Sequence, residues 1–428
     1  MAPSRYLPFL LHLVLFTSLI LAPAYLWGQE VEEIDWKYEI DLLGKELAEK
    51  HPDLFLKTDA DVFYSEFAQI ASAAPELSLF QVSIRLQQVI ARMGDAHTGI
   101  NYHFNIDSGF ILPIKCYWFD DGIYILETPV EFEQILGKKL VAINATPIEE
   151  VIDSLATLIV DDNHSLVKYH VPRIVIWAQL LEYFGFADHQ ELTLTVADQQ
   201  GNLQKQPISL PMADGNVVTL QTKSIPVGWQ EPKAYFRHRY FPENKLYYIQ
   251  YNRCWSREVE EEFGSGASAL FIPSFKEFEK EVFKELKKVQ VDRLVFDMRF
   301  NSGGNAAQGT KFIQKLCKTK LKGEGKYYVV VGRKTFSSAI INTVDFIKST
   351  EVVLVGEETG GRPNHFGEVK RFVLPESRLI VNHSTKYFTL LKEDMPTITP
   401  DLMAPMTFDL YLKGIDPALE AIKKHSSK

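Results

Sequence analysis

Cysteine is scarce. The 428 residues hold three, Cys116, Cys254 and Cys317, far apart and with no Cys-x-x-Cys pair. That usage argues against a cysteine-built metal centre and leaves any disulfide pairing unspecified. Positive charge is also short: 46 Lys and Arg face 55 Asp and Glu, a formal net charge of −9, and no basic run is interleaved with aromatics. Nucleic acid is therefore excluded as a main partner. Long apolar runs are absent too, with one exception near the start. There LPFLLHLVLFTSLILAPA follows Arg5, with small residues at Ala22-Pro23-Ala24 and a second possible cleavage point at Gly28-Gln29. A positive flank, an apolar stretch and a small-residue site are the parts of a signal peptide, placed at 1–28. The competing reading is a retained anchor, since the run approaches bilayer-spanning length. No lipid-attachment cysteine follows it, so the expected mature chain is exported, periplasmic or secreted, with no membrane span.

What is present belongs to an ordinary globular protein: 46% hydrophobic and 24% charged residues, with length for two or three domains. Residues 30–98 read as a helical bundle. Trp36, Ile40, Leu43 and Leu47 share one helical face, and 60–74 and 79–93 repeat that periodicity. Breaks fall at His51-Pro52-Asp53 and Ala74-Pro75-Glu76. The bundle ends in Gly94-Asp95-Ala96-His97-Thr98. A histidine beside an aspartate just past a helix could be a general base, because its ordinary pKa sits near working pH, or simply a bridge at the junction. Residues 99–235 are β-rich, with hairpin signals at Asp120-Asp121-Gly122 and Gln200-Gly201-Asn202. Within them ILGKKLVAINATPIEEVIDSL resembles the last part of a PDZ domain over about twenty residues, and equally fits a generic strand-turn-helix.

From 236 onward strands, helices and glycine loops alternate, with an acidic, aromatic-containing loop expected between the strand KLYYIQYN and the long helix after it. This is the signature of an α/β core with a partly parallel sheet, which binds ligands at the carboxyl ends of its strands. The stretch VVVGRKTFSSAIINTVDFIKSTEVVLVGEETGGR, Val329 to Arg362, reads as a buried strand, a turn at Gly332-Arg333-Lys334, and two serines opening a helix. A second strand and a glycine-rich loop follow. A serine there suits a nucleophile, because a helix N-terminus favours developing negative charge. Taken alone, it suits a helix cap better, since serine and threonine lead at that position.

Four segments taken in order carry a resemblance. LVFDMRFNSGGN, TFSSA, VGEETGG and ITPDLMAPMTFDLYLKGIDPALEAI are similar to the motifs of the tail-specific, or C-terminal-processing, serine protease family, across about 240–428. Gly-Asp-x-His-Thr resembles its tricorn-like, histidine-containing branch. The resemblance implies a crotonase- or Clp protease-like ββα spiral behind the bundle and a possibly degenerate PDZ-like middle. It implies an endopeptidase that needs no cofactor or metal and takes a peptide or protein substrate. Ser337 would be the nucleophile, with N–H groups of Gly303, Gly304 and Ser338 as oxyanion hole. Asp297 and Arg299 would brace the glycine loop. Many members place a lysine base where this chain has Arg362, 25 residues after Ser337. Arginine stays protonated and cannot serve. The base implied instead is His97, with His365 as competitor and Asp95 or Glu368 as orienting acid, while Arg362 would suit a substrate carboxylate. The alternative is a non-catalytic peptide- or apolar-ligand-binding protein on the same scaffold.

Overall fold

The computed structural model describes residues 34–160, 162–212, 215–321 and 326–425. The proposed signal segment lies outside them. Among the described residues no helix is long and apolar enough to cross a membrane.

The sheet that carries the glycine loop and the Ser337 turn has six strands. Their order is Leu402–Met403, Val352–Gly356, Lys326–Val331, Arg293–Asp297, Leu246–Tyr251 and Phe236–Phe241. All neighbours are parallel except the last pair. A mostly parallel sheet must be covered on both faces, so its strands are almost continuously apolar. Alternate side chains divide accordingly. Tyr247, Ile249, Phe296 and Val329 pack under Phe275, Phe312 and Phe346, while Tyr248, Val295, Tyr328 and Val330 meet Ala418, Leu419 and Ile422 of the C-terminal helix.

The three N-terminal helices run Trp36–Lys50, Ala60–Ala73 and Leu79–Ala91. The first buries Trp36, Ile40, Leu43 and Leu47, as its periodicity requires. The third opens with a capping box between Ser78 and Gln81, which satisfies helix-end N–H groups reciprocally. Buried Glu39 accepts hydrogen bonds from the backbone N–H groups of Glu376 and Ser377 and from the Ser377 hydroxyl. Strand Gly99–Ile100 pairs with Ile380–His383, so the segment after the bundle is sewn to residues beyond the Ser337 helix.

The middle region is an antiparallel sheet with both expected hairpins, Phe119 facing Gly122 and Ala197 facing Leu203. Asn144 takes a positive φ of 51° in its turn, ahead of helix Ile148–Ala156. Two things differ from the sequence reading. This region also holds helices His164–Ile174 and Ala178–Tyr183, the former with Pro172 inside, which hid its periodicity. The acidic loop after Tyr251 is a helix, Arg257–Phe263, capped by Ser256.

Candidate functional site

Helix Ser338–Ser349 begins at Ser337, which occupies the cap position with φ 52° and ψ −125° and makes no side-chain cap hydrogen bond. A non-glycine residue held there costs roughly 1–3 kcal/mol and persists only when its surroundings enforce it. The enforcement is visible. Thr335 Oγ1 accepts from Gly332 N and donates to Met298 O at 2.9 Å, and Phe336 N donates to Asn301 O at 3.1 Å. Ser338 Oγ donates to Gly304 O at 2.6 Å. The two serines therefore differ: Ser338 ties the turn to the glycine loop and Ser337 leaves its hydroxyl free of that work.

The glycine loop abuts the turn. A Cβ on Gly303, whose φ is 103°, would come within 2.9 Å of Ser337 Cβ and 3.0 Å of Ser338 N, so only glycine fits. The Gly303 N–H is committed, donating to Asn301 Oδ1 at 2.8 Å, and Asn301 Nδ2 is fixed on Tyr251 O. Among the described residues the N–H groups of Gly304 and Ser338 have no acceptor. Two of the three N–H groups expected in an oxyanion hole are thus available, and Gly303 shapes the loop instead. Asp297 is buried at the end of its strand. It accepts from Tyr248 OH at 2.7 Å and is paired with Arg299, which also meets Asp416 at 2.9 Å. That network holds the loop's entry.

Ser337, His97 and His365 all line one cavity of about 390 Å³, together with Asp95, Phe336 and Arg362. The His97 ring stacks on Phe336, next to Ser337, at 4.6 Å, and on His365 at 6.0 Å. His97 Nε2 is buried and has no hydrogen-bond partner among the described residues, and Nδ1 faces Asp95 Oδ1 at 3.7 Å. His365 is fixed differently. Its Nδ1 lies 3.2 Å from Pro363 O, which makes it a donor there. Burial, and then the neighbouring His97, push its pKa down, so it is held neutral.

Asp95 is the most heavily bonded group here. It accepts from the His97 backbone N–H at 2.9 Å, from the Thr98 hydroxyl, and from His51 Nε2 at 3.1 Å. His51 Nδ1 accepts from Asp53 N, so Nε2 must carry the ring proton toward Asp95. Burial pushes the Asp95 carboxyl up. Hydrogen bonds from His51 and His97 outweigh it and hold the group well below the usual carboxylate range. His51, whose side chain is 1% exposed, was not found from sequence. It stands 44 residues before Asp95, and its only signal was a helix break.

Two other expectations fit poorly. Glu368 pairs with Lys386 at 3.2 Å, with both side chains more than half exposed, and does not line the cavity. Arg362 lines it, but its two Nη atoms are held by Asp162 at 3.1 Å and Asp394 at 2.8 Å, and Asp162 also binds Lys57. Two cations and two carboxylates leave this wall neutral, so Arg362 is occupied rather than open to a substrate carboxylate. The one group of described residues with metal-ligand spacing, Glu182, Asp188 and His189, lies at the surface, where His189 Nδ1 pairs with Glu182 at 2.8 Å.

This geometry can be compared with solved structures. No family model matches the chain, and no curated protein matches it by sequence. Mature CPAF complexed with lactacystin superimposes over 91% of this chain and 97% of its own length, with a TM-score of 0.63 and 12% identity. The chain has the CPAF fold. Uncomplexed mature CPAF matches at a TM-score of 0.62 and 13% identity, and a CPAF mutant at 0.59 and 12%. CPAF and this chain therefore share a fold over most of their lengths, while nearly nine residues in ten differ.

Proposed function

We propose that the chain is an exported serine endopeptidase of the tail-specific, tricorn-like kind. It would hydrolyse peptide bonds through an acyl-enzyme on Ser337. The observation that carries this reading is the strained, uncapped Ser337 sharing a cavity with a buried histidine whose Nε2 has no partner. Ser337 Oγ attacks the scissile carbonyl, and His97 Nε2 takes the hydroxyl proton and returns it to the leaving amine. The tetrahedral oxygen meets the N–H groups of Gly304 and Ser338. Water then enters by the same route and frees the acid product. Asp95 faces His97 Nδ1 and favours the tautomer with a free Nε2, and His51 and Thr98 hold Asp95 in turn. Asp95, rather than Glu368, is the orienting acid, and Arg362 is a wall residue.

The six-stranded sheet with its helices is read as the crotonase-like spiral, spanning 236–428. The bundle at 30–98 delivers the base. The antiparallel module at 99–235 is read as a degenerate PDZ-like domain, and the leader at 1–28 as a signal peptide. Substrates are peptides or proteins. A fluorophosphonate serine probe tests the proposal. It should label the protein once, on Ser337, and Ser337→Ala should abolish labelling and peptide cleavage while retaining a cooperative unfolding transition. Cleavage at undiminished rate by that variant would end the assignment.

A further inference from the structure

A second, larger cavity of about 900 Å³ opens at the carboxyl end of strand Lys326–Val331, and Ser337 and His97 do not line it. Helix His164–Ile174, strand Lys115–Phe119 and the segment Ala404–Met406 close its other sides. Much of its wall is apolar, including Ile114, Leu126, Ile176, Leu220, Phe300 and Met406. Six cationic side chains also reach this wall, against one carboxylate, Glu357.

Most of those cations are answered. Arg333 is held by Glu357 at 2.8 Å, Arg299 by Asp297 and Asp416, and Lys115 by Glu127. Lys168 lies 4.0 Å from Asp120. Arg173 and Lys334 have no carboxylate within 4.0 Å among the described residues, in a chain with an excess of acid over base. Arg173 rests its guanidinium on the Tyr169 ring at 3.8 Å. Lys334 is half-buried, and burial followed by the charges of Arg173 and Arg253 presses its pKa down to about 8. The indole N–H of Trp229, in the same wall, is buried without an acceptor. A half-buried lysine with no counter-charge costs free energy that a bound anion would recover, and exposed Arg173, whose Nη1 donates to Tyr169 O, adds a second positive charge near it.

We propose that this cavity binds an amphipathic carboxylate, with its apolar body against Leu126, Ile176 and Leu220 and its charge between Arg173 and Lys334. The site is separate from the Ser337 cavity and does not depend on the peptidase reading. Titration calorimetry with decanoate tests it, with decanol as the uncharged control. Decanoate should bind once per chain and at least tenfold more tightly than decanol. The Arg173→Gln/Lys334→Met double variant should lose that difference and leave decanol binding unchanged. Equal affinity for decanoate and decanol, or full decanoate affinity in the double variant, would overturn the proposal.

If the double variant does not fold, Leu220→Trp fills the apolar end instead and should abolish decanoate binding; retained affinity there counts against the site. Ser337→Ala should bind decanoate as wild type does, which separates this result from the fate of the peptidase assignment. An acetylated leucine tripeptide, compared with its C-terminal amide, shows whether the same pair of cations also accepts a peptide chain end.

Discussion

The two cavities differ in how their polar groups are satisfied. Around Ser337 nearly every charge is answered: Asp95 by three donors, Arg362 by Asp162 and Asp394, and Lys57 by Asp162. What stays unanswered is an imidazole nitrogen, a serine hydroxyl and two backbone N–H groups, the parts an acyl transfer needs at the moment charge develops. In the larger cavity two whole cations, Arg173 and Lys334, have no carboxylate partner among the described residues. A small set of idle dipoles suits a transition state, whereas idle full charges suit a ligand that stays. The contrast teaches that what a wall leaves unsatisfied says more about its use than how large the cavity is.

The strongest way to break this comparison is at the base. His97→Ala should lower kcat by roughly a hundred- to ten-thousandfold, the usual worth of a positioned general base. His365→Ala should cost far less, since its Nδ1 is held by the Pro363 carbonyl and, unlike His97, it has no carboxylate within 4.0 Å among the described residues to stabilise an imidazolium. Steady-state kinetics of the two variants on one peptide decides, and the reverse order would transfer the role to His365.

A smaller effect is expected one shell out. His51→Ala removes a donor from buried Asp95, so kcat should fall about tenfold with KM little changed, and stability should fall by about 1–3 kcal/mol. His51→Gln, which keeps an N–H, should recover part of both. A purely structural role would lower the melting temperature and leave the kcat of the folded fraction intact.

Asp95 also sets an acid limit. Its folded pKa lies below its unfolded value near 3.9, so its stabilisation is present above that value and is lost as pH falls below about 4. Asp95→Asn should flatten that acid limb in thermal melts recorded from pH 6 to 3.

The smallest effect sharpens the other side of the comparison. Lys334 titrates near 8 in the fold against about 10.4 unfolded, so the folded state binds fewer protons between those values. Its penalty is therefore largest below pH 8 and fades as pH rises toward 10.4. Lys334→Met should raise the melting temperature by a few degrees at pH 7, with a smaller gain at pH 10. An unchanged melting temperature at pH 7 would mean that Lys334 is better solvated than its surroundings imply.

Much of the sheet was legible because its strands are short apolar runs with glycine or serine turns at their carboxyl ends. The turn at Ser337 and the loop at Gly303-Gly304 were legible as turns, since turns and close backbone approach are properties of a few consecutive residues, but only the family resemblance gave these residues roles. The pairing of charges was not legible. Arg362 meets Asp162, 200 residues away, and His51 meets Asp95 across two helices. Nothing in a local window marks which carboxylate a cation will find. The commitment of the Gly303 N–H to Asn301 was hidden for a related reason. The motif shows that a donor exists, and only the folded loop shows whether it is already in use.

The two-residue strand Gly99–Ile100 has a consequence in time. Its partner, Ile380–His383, lies 43 residues and more beyond Ser337, and Ser384 N anchors Thr98, the residue after His97. A ribosome that has delivered Ser337 has not yet delivered the residues that fix His97. On the proposed reading, a growing chain carries its nucleophile without a positioned base until Ile380 to Ser384 have been made. Synthesis order alone would then keep a peptidase silent toward its own unfinished chain, with no inhibitor or propeptide required.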